Sequence, residues 1–234
     1  MDMNELKALT FDDAIKQIED GMIVGIGSGS TIELLIPALA KQLRNQQKHI
    51  TSVCTSKKTA MLVENEGIPV MDVNEVEQIH LAIDGADEVD PELNLIKGGG
   101  GALFREKVID AKADRFIVLI DESKQVEYLG ASFKLPVEVD QFNWIMLSKQ
   151  LEKDLSSHVE RRMMDDEPFV TDNGNYILDI QLEKPMNVYD LHEYLIHLVG
   201  VLETGLFLDV TDQVIVGTQP VSYTHLTLPT SDLV

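Results

Sequence analysis

"MIVGIGSGSTIELLIPALAKQLRN", residues 22–45, decides the fold of this chain. It opens with an apolar, β-branched run ending in glycine, the composition of a buried strand. It closes with a helical pattern, "STIELLIPALAKQLRN", and a glycine-rich turn joins the two. The unit recurs. "HITSVCT" (49–55) precedes the helix "KKTAMLVENEG", and "IPVMDV" (68–73), "IHLAID" (79–84) and "DRFIVLID" (114–121) supply further strands. Strands separated by helices of this length pair in parallel through right-handed crossovers. The expectation is an α/β fold with a doubly wound, mostly parallel, Rossmann-like sheet. Ligands of such sheets bind beyond the carboxyl ends of the strands. That edge collects Ser28, Gly29, Ser30 and Thr31, then Gly85, Ala86, Asp87 and Glu88, then Glu122, Ser123 and Lys124.

From about residue 130 the pattern changes. "KLPVEVD" (134–140) reads as a strand and "NWIMLSKQLEKDL" (143–155) as an amphipathic helix. "HVERRMM" (158–164) and "PFVTDNGNYILDIQL" (168–182) read as strands, the second holding an Asn173-Gly174 turn. "NVYDLHEYLIHLVG" is a helix from Asn187, and "VLETGLFLDV" (201–210) a last strand. The order β-α-β-β-α-β predicts a smaller, ferredoxin-like α+β domain inserted in the first. "DQVIVGTQ" (212–219) then returns to the first sheet. The predicted division is 1–129 with 204–219 for the catalytic domain and 130–203 for the inserted one. Residues 220–234, "PVSYTHLTLPTSDLV", lack a period and read as a non-native or disordered tail.

Bulk composition narrows the function. Hydrophobic residues are 44% and charged residues 25% of 234, ordinary for a soluble globular protein. No apolar run reaches the roughly 18 residues of a membrane span. Cys54 is the only cysteine, which fits a reducing, cytoplasmic setting. A formal charge of −21 repels nucleic acid and anionic membrane. Any anion site must therefore be local, built from backbone amides and a few placed lysines.

Three motifs carry chemistry. In "GIGSGST" (25–31), glycines between strand and helix let amides approach an anion at a helix N-terminus, with Ser28, Ser30 and Thr31 as hydroxyl donors. Its spacing matches neither the dinucleotide fingerprint, which disfavours a dehydrogenase, nor the P-loop; a tight capped turn is the plainer reading. "DGADEVD" (84–90) gathers Asp84, Asp87, Glu88 and Asp90. It misses the calcium-loop spacing and reads either as a solvated acidic loop or as acceptors for sugar hydroxyls. "IKGGGGALFREK" (96–107) sets Gly98, Gly99, Gly100 and Gly101 between Lys97 and a helix bearing Glu106. A mobile linker is one reading. The other is a turn that places a cation and a carboxylate beside one small cavity. Glu106, flanked by Arg105 and Lys107, also reads as an ordinary solvated helix position.

"GIGSGST", "DGADEVD", "KGGGGALFREK" and "DESKQVEYLG", in this order and spacing, resemble ribose-5-phosphate isomerase type A. "LPVEV", "VTDNGNYILDI", "GLF" and "VIVGT" extend the likeness over about residues 4–219. The resemblance implies an aldose–ketose isomerase acting between ribose 5-phosphate and ribulose 5-phosphate, without metal or organic cofactor, as a homodimer or homotetramer. By motif match Glu106 is its catalytic base. Ser28–Thr31, Asp84–Asp87 and Lys97–Gly100 with Lys124 are its substrate-binding stretches, and Lys7 falls near the phosphate. In the enediolate mechanism this suggests, Lys97 and the glycine-turn amides steady the oxyanion, while Asp84 and Asp87 bind hydroxyls and assist ring opening. The segment "CTSKKTA" (54–60) departs from the family pattern. The alternative from another class is a non-catalytic sugar-phosphate sensor.

Overall fold

The computed structural model describes residues 8–218 and 222–227. In chain order its elements are α1 (Phe11–Lys16), β1 (Ile23–Ile26), α2 (Ser30–Gln46), β2 (Thr51–Cys54), α3 (Lys57–Asn65), β3 (Leu81–Gly85), β4 (Glu88–Val89), β5 (Leu95–Ile96), α4 (Leu103–Asp110) and β6 (Phe116–Asp121). There follow β7 (Leu135–Val139), α5 (Trp144–Leu155), β8 (Val159–Arg161), β9 (Met163–Met164), β10 (Glu167–Pro168), β11 (Tyr176–Ile180), α6 (Val188–Ile196), β12 (Val201–Thr204), β13 (Leu206–Phe207), β14 (Gln213–Thr218) and β15 (Ser222–Leu226). Two compact units divide them. Of the described residues, the first holds 8–85, 109–124, 209–218 and 222–227; the second holds 86–108 and 125–208.

In the first unit one sheet runs in the order β15-β14-β6-β3-β1-β2, and every neighbouring pair is parallel except β14 with β15. The α/β, mostly parallel reading is therefore what the chain adopts. From β1 the next strand, β2, lies on one side, and β3 lies on the other. The strand order reverses there, and this switch point is where doubly wound sheets leave a crevice at the strands' carboxyl ends. α2 buries Ile32, Leu35, Ile36, Leu39, Ala40 and Leu43, an i, i+3, i+4 stripe, into a cluster with Val24, Ile26, Leu81, Ile83, Ile117 and Leu119. β6 is buried along its whole length, as a central parallel strand covered on both faces should be.

The second unit holds a four-stranded antiparallel sheet, β12-β7-β11-β8, whose chain order with α5 and α6 is β-α-β-β-α-β. This is the ferredoxin-like arrangement expected. A separate three-stranded sheet, β13-β5-β4, explains where the domain boundary differs from the predicted one. Residues 86–108 carry β4 and β5; β4 pairs with β5, and β5 pairs with β13 just after the bend at Gly205, so they cluster with the second unit rather than with the first.

Three local expectations are also corrected. "IPVMDV" makes only the isolated bridge Ser52–Val70 instead of a strand. The predicted strand 168–182 divides into Pro168, the end of β10, and β11, because a turn closed by the Gly174 N–H on the Thr171 carbonyl at 2.9 Å interrupts it. In the excluded tail, residues 222–226 form β15, an antiparallel edge strand on β14. Antiparallel pairing uses backbone groups, so an aperiodic sequence can supply it. The remainder of the tail lies outside the described residues.

The acidic loop is not uniformly solvated. Glu88 is fully buried and accepts from the Gly130 N–H at 2.5 Å, the Ser132 N–H at 2.6 Å, the Ser132 hydroxyl at 2.8 Å and the Phe133 N–H at 2.7 Å. Glu88→Ala leaves these donors without their acceptor and should cost about 3 kcal/mol or more. A fall in the urea midpoint at unchanged slope measures it. A midpoint equal to the parent's refutes the role.

Candidate active site

At the end of β1 the chain must turn within one residue of a buried carboxylate. Asp84, on β3, is fully buried, and its Oδ1 accepts the Ser28 N–H at 3.0 Å and the Gly85 N–H at 2.7 Å. A Cβ on Gly27 would sit 1.9 Å from that carboxylate, so only glycine fits there. Gly29 follows at φ 88°, a left-handed conformation that glycine adopts without a steric penalty, and caps α2. Ser30 and Thr31 open the helix, whose N-terminal dipole favours an anion. The Ser28 hydroxyl is bonded to that of Thr55, and the Thr59 hydroxyl donates to the Gly27 carbonyl at 3.0 Å. The segment that departs from the family pattern thus packs on the turn through its own hydroxyls. Lys124 ends the short helical turn after β6 and is half-buried. Lys7 lies outside the described residues.

The second unit carries the other cluster. Lys97 is 2% exposed and Glu106 4%, and the Lys97 Nζ lies 3.6 Å from the Glu106 Oε2. At that separation they form an ion pair looser than a hydrogen bond. The Lys97 Nζ also stands 5.4 Å from the centre of the Phe207 ring. The reading of Glu106 as a solvated helix position is overturned: its charged neighbours point elsewhere. Arg105 donates to the Asn173 Oδ1 at 2.8 Å, and the Lys107 Nζ bonds the Glu203 carboxylate at 2.7 Å and the Thr204 carbonyl at 2.7 Å. Burial pulls the Lys107 ammonium below the usual lysine range, against the pull of Glu203.

The glycine run is a tight turn rather than a linker. The Gly101 N–H donates to the Gly98 carbonyl at 2.9 Å, closing a turn with Gly99 and Gly100 at its centre. Three of its glycines are required by protein neighbours. At Gly98 a Cβ would meet Leu103 at 2.9 Å, at Gly99 the Asp87 Oδ1 at 2.6 Å, and at Gly101 the Phe169 ring at 2.3 Å. Gly100 alone of the four faces open space. Asp87, half-buried, accepts the Gly99 N–H at 2.7 Å, and Ala86 beside it is half-buried too. Sequence reasoning missed Thr55, Thr59, Phe207, Phe169 and the Arg162–Asp179 pair.

Comparison with known proteins bears on this arrangement. The profile described as Ribose 5-phosphate isomerase A (phosphoriboisomerase A) matches residues 51–220. The ribose-5-phosphate isomerase A of Staphylococcus haemolyticus (strain JCSC1435) is 64% identical over 218 residues, 93% of this chain and 95% of the relative. The chain belongs to the ribose-5-phosphate isomerase A family. The Staphylococcus aureus (strain MRSA252) member of the family is 57% identical over 93% of this chain and 96% of its own. A solved D-ribose-5-phosphate isomerase in complex with phospho-erythronic acid superposes with a TM-score of 0.93 at 39% identity, over 97% of this chain and 100% of that one. The Plasmodium falciparum ribose 5-phosphate isomerase gives 0.92 at 29% identity, over 96% and 99%. Membership of an isomerase family disfavours the sensor reading.

The two central glycines should differ in tolerance. Gly99→Ala pushes against Asp87 and should cost about 1–3 kcal/mol, whereas Gly100→Ala should stay within about 0.5 kcal/mol. Denaturant titration of the two variants checks this, and equal losses refute the geometry.

Proposed function

We propose that this chain interconverts D-ribose 5-phosphate and D-ribulose 5-phosphate with Glu106 as general base. The supporting observation is the buried Lys97–Glu106 pair beside a glycine turn with one open position. In the open-chain aldose, Glu106 takes the proton from carbon 2, and the electron pair forms the carbon 1–carbon 2 double bond as the carbonyl oxygen becomes an oxyanion. Lys97 and the Gly100 N–H of the turn steady that charge. The proton returns to carbon 1 while the hydroxyl proton on oxygen 2 passes to oxygen 1, giving the ketose. Asp87 accepts substrate hydroxyls and assists ring opening; Asp84 shares this role and shapes the β1 turn. The amides and hydroxyls of Ser28–Thr31, with Gly85, Lys124 and Lys7, hold the phosphate, and that binding orients the sugar. Phospho-erythronic acid suits such a site because its carboxylate presents paired anionic oxygens where an enediolate carries charge. Neither metal nor organic cofactor enters the scheme.

The reading includes a cytoplasmic homodimer or homotetramer. Family membership supports assembly, and the exposed Phe142, Met146 and Val199 are apolar surface for it to cover. No helix among the described residues is long and apolar enough to cross a membrane.

A coupled assay for ribulose 5-phosphate should show turnover that a chelator leaves unchanged. Glu106→Gln should lower kcat by about 100- to 10,000-fold, the contribution of a positioned base, with KM within a few-fold. Normal turnover by that variant rejects Glu106 as the base, and no turnover by the parent chain rejects the function.

A further inference from the structure

The glycine turn has an orientation problem. The peptide between the two central residues of a β-turn can rotate by half a turn, exchanging one turn type for another. Side chains usually bias that choice, but here both central residues are glycine, which tolerates either conformation. The outcome matters because in a trans peptide the C=O and the N–H point to opposite sides. One orientation presents the Gly100 N–H to whatever lies on the open side of the turn. The other presents the Gly99 carbonyl oxygen there, which would repel an oxyanion.

A residue 63 positions away resolves the choice. The Arg162 Nη1 donates to the Gly98 carbonyl at 2.6 Å and to the Gly99 carbonyl at 3.0 Å. Both C=O groups are thereby held on the Arg162 side, and the N–H groups of Gly99 and Gly100 face away. The Gly99 N–H is found there, on Asp87. Gly99 and Gly100 both lack the positive φ that a rotated central peptide would require of Gly100. Arg162 is itself held in a two-point grip by Asp179, Nε to Oδ2 at 2.9 Å and Nη2 to Oδ1, with the two side chains only 14% and 11% exposed. Phe169, whose N–H donates to the Arg162 carbonyl at 3.0 Å, presses on Gly101 from the same segment.

We infer that Arg162, oriented by Asp179, is a positioning residue that locks the 98–101 turn with its oxyanion-facing amide outward. The inference rests on the reading of that turn as the oxyanion site. It gives the ferredoxin-like part of the chain a role in the chemistry without contact with substrate. Lysine cannot reproduce the planar fork that spans two carbonyls and a carboxylate.

The test compares the full-length parent with Arg162→Lys, Asp179→Asn and Glu106→Gln, reading kcat, KM, and affinity for phospho-erythronic acid and for inorganic phosphate. Misaligned reacting groups cost on the order of 100-fold in rate. Arg162→Lys and Asp179→Asn should lower kcat by about that factor with KM within a few-fold. Both should weaken phospho-erythronic acid and leave inorganic phosphate unchanged. Parent-like kcat in both variants, or phosphate affinity falling in parallel, overturns the inference in favour of a merely structural pair. If Arg162→Lys does not fold, Asp179→Asn decides by the same criteria; failure of both to fold also assigns the pair to structure. Parent-like turnover in Glu106→Gln would instead defeat the base assignment, so the two failures are separable.

Discussion

A lysine ammonium and a glutamate carboxylate share a nearly dry site in this protein, and much of the second unit is arranged around that fact. Removing such charges from water costs several kcal/mol each, and their mutual attraction offsets the cost only with good geometry. A bare hydrophobic contact would serve stability as well or better. The pair makes physical sense as a poised base and cation: a low local dielectric strengthens each charge's effect on a third one placed nearby. The residues around it are consistent with that. Lys97 is anchored through its backbone N–H to the Gly205 carbonyl at 2.9 Å, and Phe207 presents its ring to both Lys97 and Lys107.

In the proposed reading the first unit meets a different problem, holding an anion on a chain of charge −21. Its solution is backbone. The reversal of strand order at β1 leaves the Ser28–Thr31 turn at the head of α2, and Asp84 organises that turn by accepting two of its neighbouring amides. On that reading a negative residue shapes a site for a negative ligand, with its Oδ1 occupied by two N–H groups and its carboxylate buried beside Gly27.

Most of this fold was legible because it is periodic. The apolar runs of β1, β3, β6 and β14 and the stripe of α2 are long enough to carry a period, and the parallel sheet follows from their alternation. The division of the chain was not legible at 86–108, where β4, β5 and β13 are two residues long and only their pairing reveals the unit they join. The site was legible where one motif contains its own partners, as in Lys97 and Glu106. It was not legible where a partner is distant in sequence. Arg162 touches Gly98 across 64 positions, and nothing in "HVERRMM" marks one of its two arginines as a clamp. The glycine run was read as room for a ligand, whereas packing against Leu103, Asp87 and Phe169 requires three of its glycines.

A crystal structure of this chain with phospho-erythronic acid bound tests the central claim most directly. The account predicts the ligand carboxylate within about 2.7–3.1 Å of the Lys97 Nζ or the Gly100 N–H. It also predicts the Glu106 carboxylate within about 3.5 Å of the adjacent ligand carbon. A ligand seated with its carboxylate remote from both Lys97 and Glu106 contradicts it.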